Sequence, residues 1–426
     1  MKEYTYIKRV EMDVTRLEVG MFVGQLDKPW EKSSFAFQGF PIENQEQIER
    51  LRKECRKVYV DFKSQQAYDV YLLKAGSEVV VEHTESDIEL VKELPMASEL
   101  NVKLLQALVG ISKQVLADQV VELESLTGYV EQAITSLKRC PQALLLVIAS
   151  KSKRLYHYQH LIRVGVIAIA YGIELGLSEQ QLVKLGLGGM LFDIGKLKVT
   201  PGILNKAGKI DKHEALVLRE HPRESFNILS RVVGISDTVR EIALSHHERV
   251  DGKGYPRTIH AERVSRYAKI ISIIDFVDAV MSDRPYSSAR PAPEAIGLLE
   301  KNKGSKFDKN LVDSFTGWMG KTPVGSLVEM RTGEVGIILN YRKDFPERPR
   351  IMLVSDELKQ LGVTKVIDLR DTAVHSSGNL YRIANSLASG SFQVDVSQYI
   401  NKDSFDVPEW IKKSNITTNS PFAKFL

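Results

Sequence analysis

The stretch Ser245–Pro256, SHHERVDGKGYP, gathers two adjacent histidines, an acid and a turn-forming Asp-Gly-Lys-Gly-Tyr-Pro. The residues before it read as an amphipathic helix. Val239, Ile242, Ala243 and His246 fall at i, i+3, i+4 and i+7, so His246 continues the apolar face, while His247 stacks on Leu244 on an adjoining face. Glycines and a proline then end the helix. Two readings fit: imidazoles that complement a helix C-terminus, or ligands of a metal ion. Four further positions bear on the choice. Asp193 in GGMLFDIGK and Asp275 in KIISIIDFVDAVM are carboxylates in apolar helical patterns, and burial of a charge requires a compensating charge or donor. Asp193 is expected within one helix, on a face with Leu182, Gly186 and Gly189. His221 directly precedes Pro222, which marks a helix junction. His160 lies one turn after Tyr156 and lines up with Val164 and Ile167, facing inward. Singly, each reads more readily as a satisfied core residue than as a ligand. Together they offer imidazole and carboxylate without thiolate, a donor set suited to one or two divalent transition-metal ions such as Fe or Mn engaged in hydrolysis, and unlike structural zinc.

The elements that must position these groups follow from pattern. Residues 5–62 alternate and are rich in turns, with Val10/Met12/Val14, Met21/Val23, Phe35/Phe37 and the run 58–62 as strands. Between them Glu43–Glu54 reads as a short helix opened by Asn44. Residues 83–96 are acidic and read as a surface linker. From Ser98 to Leu137 the pattern is helical, with Leu104, Leu105, Leu108, Ile111 and Val115 in one stripe that Val120, Leu123 and Leu126 extend. That stripe could pack within its own domain or pair with a second copy in a homodimer; no strict heptad runs through it. Residues 141–318 are helical in pattern, and Asp211-Lys-His-Glu214 is a capping box leading to His221. From about 322 the period changes to strands, at Ser326–Met330, Glu334–Leu339, Arg350–Val354 and Lys365–Leu369. Residues 371–426 have only short apolar runs and receive no assignment. The domains expected are 1–95, 98–320 and 321–426.

Composition sets outer limits. The 426 residues, 43% hydrophobic and 26% charged, are ordinary for a globular protein of two or three domains. A net charge of +4 does not suggest a nucleic-acid polymer as partner. Cys55 and Cys140 form no disulfide or metal pattern and fit a reducing cytoplasm. The charged N-terminus lacks a signal core, and no apolar run approaches eighteen residues, so membrane insertion is not expected.

The helical region resembles the HD-GYP family of cyclic di-GMP phosphodiesterases. The blocks that carry the resemblance are YHYQHLIRVG at 156–165, MLFDIGKLKVTPGILNKAGKI at 190–210, EHPRESFNIL at 220–229, HHERVDGKGYP at 246–256, SRYAKIISIIDFVDAVMSDRPYSSA at 265–289 and GSKFDKNLV at 304–312. The segment 17–42 with VYVDF at 58–62 resembles the domain of unknown function often found ahead of HD-GYP domains, and 324–339 resembles the β segment that often follows them. The resemblance implies a mainly α fold: an all-helical HD-type metal-dependent phosphohydrolase core with a small N-terminal α+β module and a β-rich C-terminal appendage. It implies two metals that clamp a phosphate and activate a hydroxide. By motif, His221, His246, His247 and Asp193 correspond to one metal's ligands, with Asp193 bridging, and His160, Asp193 and Asp275 to the other's. Lys196 and Arg284 correspond to phosphate contacts, and Tyr255 to the substrate side of the site.

The sequence departs from this family where the histidine of the His-Asp pair is expected: Phe192 stands there. Tyr156 occupies the position of a glutamate that binds a third metal in some members, and Ser287 that of a basic residue after RPY. The implied activity is hydrolysis of cyclic di-GMP to the linear dinucleotide or to GMP. The alternative is a degenerate domain that binds cyclic di-GMP or a signalling-protein partner without turnover.

Overall fold

The computed structural model describes residues 8–29, 33–35, 39–62, 85–149, 156–204, 206, 208–283, 288–340, 347–370, 375 and 379–400. The chain divides into two units, 1–81 with 372–381, and 82–371 with 382–426.

The first unit holds an antiparallel sheet of β1 (Lys8–Asp13), β2 (Phe22–Leu26), β3 (Phe40–Pro41) and β4 (Lys57–Phe62), in the order β1-β4-β2-β3. The alternation read from sequence is the register: Val10 faces Val60 and Met12 faces Val58. Helix α1 (Gln45–Glu54) starts where Asn44 Oδ1 accepts from the Gln47 amide, and it buries Ile48 and Leu51 against the sheet residues Val23, Val58 and Val60. Phe35 stacks on Phe40 at 4.7 Å, and Phe37 lies outside the described residues.

The second unit is helical: α2 (Glu85–Leu116), α3 (Glu124–Arg139), α4 (Pro141–Ala149), α5 (Tyr156–Glu174), α6 (Glu179–Leu191), α7 (Pro201–Leu204), α8 (Lys212–Arg219), α9 (His221–Ser230), α10 (Asp237–Ser245), α11 (Arg266–Val280), α12 (Ala292–Lys301) and α13 (Lys309–Met319). A five-stranded antiparallel sheet follows, β5 (Leu327–Met330), β6 (Val335–Asn340), β7 (Arg350–Ser355), β8 (Leu361–Asp368) and β9 (Ile383–Leu387), in the order β8-β7-β6-β5-β9. Its residues Leu327, Ile337, Leu339 and Val354 share one buried cluster with the helices. Strand β9 comes from the segment that the sequence left unassigned.

Two local expectations are corrected. The acidic stretch 83–96 is not a surface linker: from Glu85 it is the start of α2, where Leu90, Val91 and Leu94 are buried. Glu93 is buried there too, because Arg139 of α3 pairs with its carboxylate and Ser136 Oγ donates to it at 2.8 Å. A glutamate that reads as solvated is thus a partnered core residue. The long helical span also breaks at residues 117–123, where Asp118 takes a positive φ, and Val120 is 74% exposed rather than part of the stripe.

The site is positioned by close helix packing. A Cβ at Gly189 of α6 would lie 2.8 Å from Gly165 Cα of α5, so the two backbones approach at a distance that only glycine permits. Asp193 is not inside a helix as expected. α6 ends at Leu191, Phe192 caps it, and Asp193 opens a 3-10 turn at Ile194–Lys198. The cause is tertiary. At Gly195 a Cβ would meet His221 O at 2.2 Å and Ser225 N at 2.4 Å, and the Gly195 amide donates to Ser225 Oγ at 2.8 Å. The turn is pressed against the start of α9, and this sets Asp193 beside His221.

Candidate metal centre

Each histidine of the first cluster is set by its own helix end. The capping box expected at Asp211 is formed: its carboxylate accepts from the His213 and Glu214 amides, and the Glu214 carboxylate accepts from the Asp211 amide. α8 then runs to the junction at His221, where Pro222 opens α9. Ser236 caps α10, which places His246 as its C-terminal cap. His221 Nδ1 lies 2.6 Å from Leu218 O, and His246 Nδ1 lies 2.8 Å from Ala243 O. A carbonyl oxygen only accepts, so each Nδ1 carries the proton and each Nε2 presents a lone pair. Those two Nε2 atoms face each other at 3.2 Å.

Asp193 Oδ1 joins them, 3.0 Å from His221 Nε2 and 3.6 Å from His246 Nε2, and it is buried without a hydrogen bond. Lys196 Nζ pairs with the other oxygen, Oδ2. His247 completes the group: one ligand atom from each of Asp193, His221, His246 and His247 lies within 4.8 Å of the others. Burial drives the Asp193 carboxyl upward, but the Lys196 charge, with the adjoining His221 and His246 imidazoles, outweighs it and holds the group well below the ordinary range. Burial also holds the His221 imidazole below its usual value and that of His247 far below it, so both are neutral at pH 7. The acid of the motif, Glu248, is not part of this group; its carboxylate accepts from the Arg257 and Ile259 amides and fixes the following loop. That loop folds tightly because Gly254 lacks a Cβ, which would lie 2.4 Å from Arg249 N. Tyr255 is thereby laid against His247, ring centres 4.7 Å apart, and the Arg219 guanidinium lies over the Tyr255 ring at 5.3 Å.

The second group is organised differently. His160 on α5 is hydrogen-bonded at both nitrogens, Nε2 at 3.1 Å from Asp275 Oδ1 and Nδ1 at 2.6 Å from Asp278 Oδ2. Burial lowers its basicity, but the two carboxylates outweigh burial and raise it. Asp278 is held in turn by Arg163, whose Nε donates to Oδ1 at 2.6 Å and Nη2 to Oδ2 at 3.1 Å. Burial pushes the Asp278 carboxyl up, while Arg163 and His160 together bring it far below the usual range. Phe192 lies between the groups. Its ring is fully buried and edge-on to both His246, at 4.8 Å, and His160, at 5.9 Å.

The structure therefore brings together Asp193, His221, His246 and His247, sets Lys196 and Tyr255 beside them, and pairs His160 with Asp275. Arg284 and Ser287 lie outside the described residues. Sequence reasoning missed Asp278, Arg163 and His157. Asp278 had a signal, since it follows Asp275 by three residues in the same apolar helix. Arg163 follows His160 by the same interval. His157 stands near the first group, where burial, reinforced by the Lys196 charge, pushes its imidazole down to about 4.

Comparison with known proteins places this geometry. The model of the HD domain matches residues 142–311, and that of a domain of unknown function, DUF3391, matches 9–126. A cyclic di-GMP phosphodiesterase of Pseudomonas aeruginosa is 30% identical over 373 residues, covering 85% of this chain and 89% of the relative. The chain belongs to the HD-GYP family. Two further relatives match over less of their length. A cyclic di-GMP phosphodiesterase of Thermotoga maritima is 33% identical over 40% of this chain and 47% of its own, and a 3'3'-cGAMP-specific phosphodiesterase of Vibrio cholerae is 27% identical over 57% and 53%. Among solved structures, an HDG"Y"P protein from Bdellovibrio bacteriovorus is 18% identical, with a TM-score of 0.44 over 72% of this chain and 98% of that one.

The residues of this HD-GYP chain fit a metal ion on their own geometry. Two imidazole lone pairs at 3.2 Å and a buried, unpartnered carboxylate oxygen repel one another unless a cation lies between them. Among the described residues no helix is long and apolar enough to cross a membrane.

Proposed function

We propose that this HD-GYP protein hydrolyses the phosphodiester bonds of cyclic di-GMP with a divalent transition metal, yielding the linear dinucleotide or GMP. The observation that carries the reading is the convergence of His221 Nε2, His246 Nε2 and Asp193 Oδ1 in a buried site. The substrate rests on the names of the Pseudomonas aeruginosa and Thermotoga maritima relatives. Asp193, His221, His246 and His247 would hold one ion, and His160, Asp275 and Asp193 would serve a second. A nitrogen and oxygen donor set without sulfur favours Fe or Mn. The ion, when bound, supplies Lewis acidity toward a phosphoryl oxygen and acidifies water for attack. Lys196 holds the Asp193 carboxylate ionised and lies where it can bind a phosphate oxygen. Tyr255 shields His247 and would form one wall for the dinucleotide, and Arg284 corresponds by motif to a phosphate contact.

The two half-sites are unequal. The first is open to an ion, whereas His160 Nε2 is already hydrogen-bonded to Asp275 and must lose a proton before it can ligate. Metal analysis of the purified protein is thus expected to give nearer one ion per chain than two at low metal supply. Cyclic di-GMP turnover supplemented with Fe(II) or Mn(II) tests the activity. Absence of turnover at any metal concentration, with metal bound, would favour the second reading, a binding domain without turnover, for which Phe192 is the motivating residue.

A further inference from the structure

Farther along α5 from His160, over the turns that carry Arg163, Ile167 and Ala170, is a cavity of about 300 Å³, walled also by Leu145, Met281, Trp318 and Val324. It lies between the helices and the start of the second sheet. Its wall also includes Arg163 and Asp278, the pair that holds His160. Arg163 is 3% exposed, and its Nε and Nη2 are spent on Asp278 and Ser282. Nη1, on the far edge of the guanidinium, is buried and has no hydrogen-bond partner. A buried donor left unmade is costly, and such groups are normally met by water or a ligand.

We propose that this cavity is a binding site for a small, neutral, mostly apolar molecule carrying one hydrogen-bond acceptor, seated on Arg163 Nη1 and sensed at His160 through Asp278. The size follows from the volume, room for about ten water-sized groups at about 30 Å³ each. The apolar body follows from the aliphatic and aromatic wall. Neutrality follows from the charges: Arg163 and Arg290 are balanced by Asp278 and Glu174, all four on the wall, so a carboxylate would enter without a free countercharge. A carbonyl satisfies the orphan donor without that penalty. The route to the site is three contacts long. An acceptor on Nη1 draws the guanidinium, the guanidinium holds Asp278, and Asp278 accepts from His160 Nδ1.

The test uses the full chain, metal-free, with isotope-labelled Met and Ile methyls and labelled histidine rings, titrated with acetophenone, ethylbenzene and benzoate. Acetophenone is expected to shift the Met281 and Met319 methyls saturably and to bind at least tenfold tighter than ethylbenzene, which has the shape without the acceptor, or benzoate, which adds charge. The His160 ring nitrogens are expected to shift with the same saturation curve. Ala170→Phe, which fills the cavity, should abolish all of these shifts; should it fail to fold, Leu145→Trp fills the same space from α4. No saturable methyl shift overturns the site. Ethylbenzene binding as tightly as acetophenone overturns the role of Arg163, and tighter benzoate overturns the neutral class. A methyl response with His160 unmoved overturns the coupling.

Discussion

Replacing Phe192 by histidine asks whether a missing ligand limits this HD-GYP site. The ring is fully buried, edge-on to His246 at 4.8 Å and to His160 at 5.9 Å, so an imidazole placed there reaches toward both groups. Without metal the change is unfavourable. Burial of a phenylalanine side chain contributes about 1.5–3 kcal/mol, of which a smaller imidazole recovers part. A buried ring N–H without a partner costs about 1–3 kcal/mol more. A net loss of about 3 kcal/mol lowers the melting temperature by roughly 6–12 °C in a domain of this size. Metal offsets part of this loss. Even groups that only support a ligand change metal affinity about 10–100-fold, and binding to the folded state alone stabilises it by the corresponding RT ln of the gain, about 1.4–2.7 kcal/mol. Melting curves against Mn(II) concentration, recorded for parent and Phe192→His, read this without reference to turnover. The variant is expected to melt lower when metal-free and to gain several degrees more than the parent on saturation. Turnover of cyclic di-GMP should rise most at limiting metal. If the folded variant responds to metal as the parent does and gains no activity at any concentration, the missing ligand is not what limits the protein, and the non-catalytic reading becomes the better one.

Three further outcomes are expected. His246→Ala removes one of the two facing Nε2 atoms; metal binding and turnover should be lost while the far-ultraviolet circular dichroism stays near that of the parent, and a variant that binds metal normally would make His246 a core residue only. Asp278→Asn leaves the Arg163 guanidinium buried without its countercharge; urea unfolding should show a loss of about 3–5 kcal/mol, and a loss under 1 kcal/mol would contradict the pairing. His157 is held near 4 in the fold against 6.5 for an unperturbed imidazole. Between those values the unfolded chain binds the extra proton, so metal-free stability should be unaffected above pH 6.5, fall as pH drops through that window and level off below pH 4. The loss should reach about 3 kcal/mol at most, at 1.36 kcal/mol per unit. A His157→Gln variant with the same acid dependence would assign the effect to other groups.

What the sequence revealed about the site was its anomalies. Asp193 and Asp275 are carboxylates amid apolar residues, and His246 continues an apolar face, so each announces burial of something that needs a partner. Partners that cancel an anomaly were less visible. Glu93 looks like part of an acidic linker until Arg139 arrives from another helix, and Arg163 looks like a solvated charge until Asp278 meets it from 115 residues away. The helix end at Phe192 was equally hidden. No proline stands between Glu179 and Lys198, and of the four glycines there three lie inside the helix, so the stop is not marked locally; at the stop, Gly195 is approached closely by His221 and Ser225. Most strands were readable from alternation. Two were not: β3, Phe40–Pro41, in place of the strand expected at Phe35 and Phe37, where Phe35 lies in no strand, and β9, whose sequence IANSL lacks alternation and which is half-buried and pairs with β5 at the sheet edge.

The two half-sites meet the cost of buried polar groups in opposite ways, and this bears on how the protein tolerates Phe192. In the first, the Nδ1 protons of His221 and His246 are fixed by backbone carbonyls, so the Nε2 lone pairs have nothing to accept from, and only a cation relieves them. In the second, His160 is clamped between Asp275 and Asp278, with Arg163 balancing the extra carboxylate, and every one of those contacts is satisfied without an ion. An apolar ring can stand next to the second arrangement at little cost, because both ring nitrogens of His160 are already paired. Beside the first it can stand only because Asp193, not residue 192, supplies the anionic ligand. On the proposed two-ion reading, Phe192 would therefore stand where an apolar ring harms the fold least and bears most on the second ion.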